Sequence, residues 1–267
     1  MAEALELTAY PDLESRVEAI ERDGYVYYPG VLDAEEVAEL REVMDGLTQI
    51  EASFDKHMTP ENGRYLNKHI NNAFNRDSLF LDFLDKPGVI EVSEAVHGED
   101  CHVIGMTAWM TGPGRPDQNL HIDWLPIALP EDVASDPRVK VPIFISTAHY
   151  YLDDLYEELG PTQFVPGSHR SGRRPDKDEM DWQGVEPKSI LCKAGDVVQF
   201  RSEVWHRGTA NRSTQTRYLL QVHYANRMIT QKYPPYLNRF QFDKAILAQA
   251  TPRQLRLMGD HRSSNYD

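Results

Sequence analysis

The sequence predicts an α+β fold with a mainly β core, an antiparallel sandwich or barrel, with helices before and after it. Apolar residues recur at helical spacing up to about residue 98. From there, short segments rich in β-branched and aromatic residues alternate with Gly, Pro and Asp. A chain of 267 residues without a linker or internal repeat suits one such domain. We expect a mainly helical flank at 1–98, a β-barrel core at 99–226 and a C-terminal cover at 227–267.

Two amphipathic segments account for the helical flank. Asp33 is placed to cap the first helix, and Glu36 three residues later completes a capping box. The second candidate spans about 78–96, and we expect Pro87-Gly88 to break or kink it. Between them, residues 59–74 are polar and rich in Asn, which predicts a loop with a role other than packing. The apolar positions of the first helix are Val37, Leu40, Val43, Met44 and Leu47.

The β core is predicted from the segments after His97-Gly98. No helical pattern separates them, which favours an antiparallel sheet over a parallel one. The C-terminal patterns at 241–249 and 252–258 predict a loop and short helices that cover the barrel. The predicted strands are 101–111, 120–124, 141–152, 189–192, 197–201 and 217–224.

Composition and charge exclude several classes of protein. The chain is 40% hydrophobic and 26% charged, which excludes a wholly disordered or fibrous protein. Its 28 Lys and Arg residues against 42 Asp and Glu give a net charge of −14. Such an acidic chain is a poor candidate for binding duplex nucleic acid or an anionic membrane, because both are themselves negative. No apolar run is long enough to span a membrane.

Cysteine usage and the N-terminus predict a cytoplasmic protein. The two cysteines, Cys101 and Cys192, cannot form a disulfide framework, and the sequence has no CxxC for zinc. Residues 1–6 are acidic and lack the layout of a signal peptide. We expect a cytoplasmic monomer or homodimer that acts on a small molecule.

The segment His121-Ile122-Asp123 is the first candidate for chemistry. The signatures GxSxG, GxxxxGK[ST], GxGxxG and HExxH are absent, which disfavours serine hydrolases, P-loop and dinucleotide-binding proteins and zincins. On a strand, residues i and i+2 project from the same face, so His121 and Asp123 could hold one metal ion together. About one HxD is expected by chance in such a chain, so the motif alone is weak. His97-Gly98-Glu99 has the same spacing, but its glycine is placed as a helix C-cap.

A second segment strengthens the metal hypothesis. A strand at 197–201, a turn and the strand 217–224 would bring His206 and Arg217 onto neighbouring strands. Two histidines and one carboxylate with open positions form the facial triad of non-haem Fe(II) oxygenases, and a nearby Arg offers a planar fork for a carboxylate. The alternative is that His206 is a turn histidine with a local partner and Arg217 a solvated strand residue.

Together these residues resemble the phytanoyl-CoA dioxygenase family of Fe(II)/2-oxoglutarate-dependent oxygenases. The order is His121-x-Asp123, then Pro166-Gly167-Ser168-His169, then His206 with Arg217 eleven positions on. The resemblance covers nearly the whole chain and implies a double-stranded β-helix, which is a jelly-roll or cupin-like barrel. Further segments in the family's order are 20–30 with Gly24-Tyr25-Val26, Leu152-Asp153-Asp154, Gly160 and Asn211.

The resemblance implies a set of roles for the site residues. His121, Asp123 and His206 would hold Fe(II), and Arg217 would pair with the distal carboxylate of 2-oxoglutarate. With dioxygen, the reaction would release succinate and CO₂ and oxidise a C–H bond, with hydroxylation as the default outcome. Desaturation, ring formation and epoxidation remain open. Further positions that match co-substrate contacts in relatives are Gln118, Thr162, Lys68 and Met106.

The substrate is expected to be a medium-sized polar metabolite. A lining that mixes aromatic and amide groups suits such a molecule better than a bare fatty chain. By resemblance, tailoring of a secondary metabolite is favoured over acyl-CoA catabolism, since nothing in the sequence looks like a basic cluster for the CoA phosphates. The nearest candidate, Arg170, Arg173 and Arg174, is better explained as a solvated loop. The candidate lining residues are Tyr65, Asn67, Asn71, Asn72, Trp109, Trp124, Tyr150 and Tyr151.

Two positions depart from the family's pattern. His149 stands where many relatives carry Trp, and Gly208 stands where some carry Ser. His149 is either a substrate-side acid or base, or a strand histidine with a backbone partner. Two other functions stay open: a barrel that uses another metal for hydrolysis or isomerisation, and a non-catalytic barrel that binds a small molecule.

Overall fold

The computed structural model describes residues 2–48, 65–233 and 240–261, together with the backbone of 55–57. Its helices are α1 (Leu13–Asp23), α2 (Ala34–Gly46), α3 (Ile90–His97), α4 (Glu131–Ala134), α5 (Lys244–Leu247) and α6 (Pro252–Leu257). Its strands are β1 (Tyr25–Tyr28), β2 (Asp55–His57), β3 (Asn67–Asn71), β4 (His102–Thr111), β5 (Ile145–Tyr151), β6 (Thr162–Phe164), β7 (Lys188–Ser189), β8 (Val197–Arg201), β9 (His206–Gly208) and β10 (Arg217–Ala225). Short 3-10 turns occur at Ala73–Asn75, Ser78–Phe83, Glu157–Leu159 and Ser168–Arg170.

The strands form two antiparallel sheets. The large sheet has the order β1-β8-β5-β10-β4-β3-β2, and the small sheet has the order β7-β6-β9. The small sheet packs on one face of the large one, where the ring centroids of Phe164 on β6 and Phe200 on β8 are 4.7 Å apart. This is the jelly-roll arrangement of a double-stranded β-helix, and it confirms the predicted fold class.

Strand β10 shows how the large sheet separates the core from the site. Successive side chains of a strand point to opposite faces. Leu220, Val222 and Tyr224 join the main hydrophobic core on the helical side of the sheet. Arg217, Leu219, Gln221 and His223 alternate with them and line a cavity on the face toward the small sheet.

Helices α2, α3, α5 and α6 lie in segments that the sequence predicts to be helical, whereas α1 was expected only as part of the helical flank and α4 was not predicted. The Asp33 side chain accepts hydrogen bonds from the backbone N–H groups of Glu35 and Glu36, and the Glu36 side chain accepts one from the N–H of Asp33. The 78–96 segment is broken at Pro87-Gly88 into the 3-10 turn Ser78–Phe83 and helix α3. The patterns at 241–249 and 252–258 contain α5 and α6. No helix in the described ranges is both long and apolar enough to cross a membrane.

The His97-Gly98-Glu99 segment is a helix end, as its glycine indicates. Gly98 follows the last residue of α3 with a φ of +104°. The ring of His97 is buried, with Nδ1 2.9 Å from the carbonyl oxygen of Ile143 and Nε2 2.8 Å from the hydroxyl of Ser146. Both ring nitrogens therefore have protein partners.

The structure corrects the N-terminal half of the secondary-structure prediction. Strand β1 lies inside the segment expected to be mainly helical. Residues 67–71, expected to belong to a loop, form β3, while 59–64 lie outside the described residues. The strand was missed because its cavity-facing residues are polar, so it lacks the apolar alternation of a strand that faces a core.

Two predictions about the β core are also corrected. Residues 120–124 do not form a regular strand, although His121 and Asp123 both donate backbone N–H groups to the segment 202–206. His206 and Arg217 do not lie on neighbouring strands, because β9 belongs to the small sheet and β10 to the large sheet. They line the same cavity from the two sheets. The sequence analysis missed two further strands, β6 and β9.

Candidate active site

A cavity of about 510 Å³ lies between the two sheets. Strand β10 contributes four alternate residues to its lining. The next two strands of the sheet, β4 and then β3, contribute residues that are paired across the sheet with these positions. One such row runs from Asn71 through Thr107 and Gln221 to His149. The lining consists of His69, Asn71, Asn72, Gly105, Met106, Thr107, Trp109, Gln118, His121, Asp123, His149, Thr162, His206, Gly208, Arg217, Leu219, Gln221, His223 and Lys232.

Three candidate metal ligands meet in this cavity. His121, Asp123 and His206 each offer one ligand atom, and these atoms all lie within 4.8 Å of one another. Nε2 of His206 is 3.7 Å from Oδ1 of Asp123, and the two imidazole centroids are 4.4 Å apart. Two imidazole nitrogens and one carboxylate oxygen are the donor set of the non-haem iron facial triad.

Backbone carbonyl groups orient both imidazoles. Nδ1 of His121 is 2.8 Å from the carbonyl oxygen of Asn119, and Nδ1 of His206 is 2.9 Å from that of Val204. A carbonyl oxygen only accepts, so each Nδ1 carries the proton and each Nε2 presents a lone pair to the cavity. Burial, and then the nearby His206, lower the pKa of His121 to about 4. The neutral form that a metal requires therefore dominates at pH 7.

Arg217 is a buried cation in the same cavity, only 2% exposed. Its Nη1 donates a hydrogen bond to the carbonyl oxygen of Gly160, while its Nε has no hydrogen-bond partner among the described residues. Burial lowers the pKa of Arg217 to about 10, which still leaves the guanidinium charged at pH 7. A buried cation with an unused donor suits an anion that supplies carboxylate oxygens.

Gln118 and Thr162, the candidate co-substrate contacts, line the cavity, and Gly208 lies beside Gln118. Oε1 of Gln118 accepts a 2.7 Å hydrogen bond from the N–H of Gly208. A Cβ atom at position 208 would lie 2.9 Å from this Oε1 and 3.0 Å from Nη1 of Arg115. The absence of a side chain at 208 therefore allows Gln118 and the buried Arg115 to pack here.

Of the two other candidates for co-substrate contacts, Met106 lines the cavity and Lys68 does not. Met106 is fully buried and contributes to the cavity lining. Lys68 lies on the other face of β3 from the lining residues His69 and Asn71, and its Nζ donates a 2.5 Å hydrogen bond to the carbonyl oxygen of Leu47. Lys68 therefore does not line the cavity, because side chains alternate along the strand.

Some of the candidate substrate residues line the cavity, and others do not. Asn71, Asn72, Trp109 and His149 contribute to the lining. The others stand behind it: Asn67 accepts a 2.7 Å hydrogen bond from Nε1 of Trp109, Tyr151 packs edge-on against His149, and Trp124 packs against His223. Tyr150 faces the helical side, where it contacts Phe83. Tyr65 is half-buried and is not part of the lining.

His149 has side-chain partners rather than the backbone partner considered above. Its Nε2 is 2.9 Å from Nε2 of Gln221, and its Nδ1 is 3.4 Å from the hydroxyl of Tyr151. Burial and the nearby His206 hold its pKa well below the usual range. His149 is therefore a neutral group in the cavity wall, hydrogen-bonded to Gln221.

Sequence reasoning missed several lining residues. They are His69, Gly105, Thr107, Leu219, Gln221, His223 and Lys232. Those on β10 follow Arg217 at every second position, so strand alternation from that residue would have found them. The basic loop lies apart from the cavity lining: Arg173 pairs with Glu131 and Glu179, and Arg170 donates to the carbonyl oxygen of Ser135.

Comparisons with known proteins show the family of this chain. The family model described as phytanoyl-CoA dioxygenase (PhyH) matches residues 20–219. L-proline trans-4-hydroxylase of Streptomyces griseoviridis is 22% identical over 80% of this chain and 86% of its own length. The dioxygenase cdmD of Talaromyces verruculosus is 22% identical over 92% of this chain and 83% of its own length.

Solved structures share the fold. The non-heme alpha ketoglutarate dependent carbocyclase SnoK from nogalamycin biosynthesis superposes with a TM-score of 0.66 at 20% identity, covering 89% of this chain and 95% of its own. HygX from Streptomyces hygroscopicus, solved with nickel, 2-oxoglutarate and hygromycin B bound, gives a TM-score of 0.61 at 14% identity, covering 85% and 95%.

These findings place the chain among the non-haem iron oxygenases that depend on 2-oxoglutarate, with Fe(II), 2-oxoglutarate and dioxygen as its cofactor and co-substrates. The chain belongs to the phytanoyl-CoA dioxygenase family, whose model matches most of its length. The resemblance found in the sequence is thereby confirmed, and so is the predicted class of enzyme.

Proposed function

We propose that this enzyme hydroxylates a C–H bond of a small polar metabolite, with His121, Asp123 and His206 as iron ligands and Arg217 as the co-substrate anchor. The observation that carries the proposal is that the three donor atoms and the buried guanidinium line one cavity. Bound iron with 2-oxoglutarate and dioxygen supplies the oxidising chemistry, and succinate and CO₂ are released. The protein's task is to bind, orient and exclude water.

His121, Asp123 and His206 would hold the iron in the cavity. Nε2 of each histidine and one carboxylate oxygen of Asp123 would occupy three coordination positions and leave three open. The carbonyl oxygens that contact each Nδ1 orient both rings so that each Nε2 can bind the metal.

The residues around Arg217 are proposed to hold 2-oxoglutarate. Nε of the guanidinium can donate to the distal carboxylate, and this charge-assisted hydrogen bond gains strength in a buried site. Thr162 contributes a hydroxyl to the lining. Because Oε1 of Gln118 already accepts from Gly208, the amide NH₂ of Gln118 is left to donate to the ligand.

A polar metabolite is supported by the remaining lining. The cavity lining also includes amide, imidazole and ammonium groups. They belong to Asn71, Asn72, Gln221, His223 and Lys232. The names of similar proteins point the same way, since one hydroxylates L-proline and others belong to nogalamycin biosynthesis or bind hygromycin B. We therefore favour tailoring of a secondary metabolite.

The compartment, the domain organisation and the oligomeric state of the enzyme are also proposals. Cys101 and Cys192 are both free and buried, which suits a reducing compartment. We propose a single-domain cytoplasmic enzyme that acts as a monomer or homodimer and binds neither nucleic acid nor membranes, which the net charge of −14 supports.

The test is an anaerobic titration of the metal-free protein with Fe(II) and then 2-oxoglutarate. We expect the visible charge-transfer band of the iron–2-oxoglutarate chelate in the wild type and its loss in Asp123→Ala. Asp178→Ala, at an exposed position, is the matched control and should keep the band. A wild type without the band would overturn the proposed roles and favour a barrel that uses another metal or only binds a small molecule.

A further inference from the structure

A chain of hydrogen bonds connects the candidate ligand Asp123 to His223. The hydroxyl of Thr147 donates to Oδ2 of Asp123 at 3.4 Å, and its oxygen lies 2.9 Å from Nδ1 of His223. Thr147 on β5 and His223 on β10 are directly paired in the sheet, so the contact is fixed by strand register. Thr147 is fully buried and His223 is 4% exposed.

The direction of these bonds determines the tautomer of His223. A carboxylate only accepts, so the single hydroxyl proton of Thr147 is committed to Asp123. The Thr147 oxygen must then accept the second bond, and Nδ1 of His223 must carry the proton that it donates. Burial, and then the nearby Lys232, hold the pKa of His223 well below its usual range, so the ring is neutral. Its Nε2 is left without a proton.

This unprotonated Nε2 belongs to a residue of the cavity lining. In the described part of the chain, no hydrogen bond to it is found, and the ring is held edge-on against Trp124 with centroids 5.3 Å apart. Because His223 lines the cavity, this acceptor is available to a donor group of a bound molecule. The group that fits is an O–H or N–H of the bound molecule.

Asn72 provides a second unpartnered group in the same cavity. It is 8% exposed, it lines the cavity, and its carboxamide does not cap the 3-10 turn that it precedes. No hydrogen bond to its side chain is found in the described ranges. A carboxamide can donate and accept at once, which matches a hydroxyl group in either role.

The geometry points to His223 as a specificity-determining residue whose Nε2 accepts a hydrogen bond from a hydroxyl group of the substrate, with Asn72 as a second contact. This inference rests on the proposed function, because it places the substrate beside the iron site. The substrate class is an alcohol, whose hydroxyl group lies close to the carbon that is oxidised. Two hydrogen bonds separate His223 from Asp123, so the selected hydroxyl is held near the metal.

The tautomer can be tested without a substrate. Long-range ¹H–¹⁵N spectra of histidine-labelled protein, loaded with diamagnetic Zn(II), distinguish the two neutral forms, and His223→Phe identifies the resonance. We expect the Nδ1–H form in the wild type and its loss or mixing in Thr147→Val. An Nε2–H form or a protonated ring in the wild type would overturn the inference.

The specificity is tested with paired probes. A panel of hydroxylated compounds and their O-methyl ethers is scored by succinate release with Fe(II) and 2-oxoglutarate. We expect the alcohols to exceed their ethers by at least about tenfold, and this preference to vanish in His223→Phe. His261→Phe, outside the cavity lining, is the matched control and should keep the preference.

The outcomes separate this inference from the proposed function. A missing charge-transfer band contradicts the proposed function. A normal band together with equal responses to alcohols and ethers contradicts the role of His223 alone. If no member of the panel is turned over, the tautomer measurement decides.

Discussion

His121 and His206 exchange backbone hydrogen bonds: the N–H of His121 donates to the carbonyl oxygen of His206 at 2.9 Å, and the reverse bond is 2.8 Å. This isolated bridge joins His206, the first residue of β9, to a segment that belongs to neither sheet. It holds two imidazoles from distant parts of the sequence at one point. Backbone pairing therefore places two of the three candidate ligands beside each other.

Replacing a proposed ligand should remove the metal while preserving the fold. For His206→Ala we expect Fe(II) affinity to fall by more than about 100-fold, because a facial triad has no spare protein donor. Anaerobic calorimetry measures the affinity, and circular dichroism checks the fold. His261→Ala should bind as the wild type does. Equal affinities for His206→Ala and the wild type would exclude His206 as a ligand.

Arg217→Met should weaken 2-oxoglutarate binding far more than metal binding. Truncating one partner of a buried charge pair typically costs several kcal/mol, so we expect KM for 2-oxoglutarate to rise roughly 100-fold. Succinate formation against 2-oxoglutarate concentration measures this. Arg207→Met, at a half-buried residue of β9, is the matched control. Unchanged KM in Arg217→Met would place the co-substrate elsewhere.

Gly208→Ser should disturb the co-substrate end of the cavity. The new Cβ would lie 2.9 Å from Oε1 of Gln118 and 3.0 Å from Nη1 of Arg115, so Gln118 must move from its hydrogen bond with residue 208. We expect KM for 2-oxoglutarate to rise about fivefold, in line with the loss of one hydrogen bond. Gly46→Ser is the control, since no atom lies within 4 Å of a Cβ there. An unaltered KM would show that Gln118 does not contact the ligand.

The buried His97 should make the fold sensitive to acid. Burial lowers its pKa to about 4, below the ordinary histidine value of 6.5, so the unfolded chain binds more protons between these two values. The free energy of unfolding should therefore fall as the pH drops from 6.5 to 4. Protonation of His97 accounts for about 3 kcal/mol of this loss at the lower pH. Urea denaturation at pH 7 and pH 5 measures this. In His97→Gln the loss should be smaller, and equal losses would contradict the assignment.

The sequence predicted those features of the fold that depend on a few neighbouring residues. The capping box at Asp33 and the break at Pro87-Gly88 are read from a few neighbouring residues, and both are present in the structure. Strands with apolar faces, such as β8, were predicted within a residue or two. Strand β3 was not, because the face it presents to the cavity is polar and its partners are distant in the sequence.

The candidate site was predicted unevenly for a related reason. Motif order identified His121, Asp123, His206 and Arg217, since their spacing carries the family's pattern. Lys68 was also predicted but lies outside the cavity lining, because the strand that orients it was not recognised. His223 was missed, although its position six residues after Arg217 puts it on the same face of β10.

The sequence by itself determined the family, the α+β class and the four residues on which the proposed chemistry depends. Only the tertiary structure decided which faces of β3, β5 and β10 meet the cavity, and how Thr147 joins Asp123 to His223. The physical reason is that residue types and spacing express local propensity and ligand chemistry. Cross-strand register, which pairs residues far apart in the chain, depends on packing of the whole sheet.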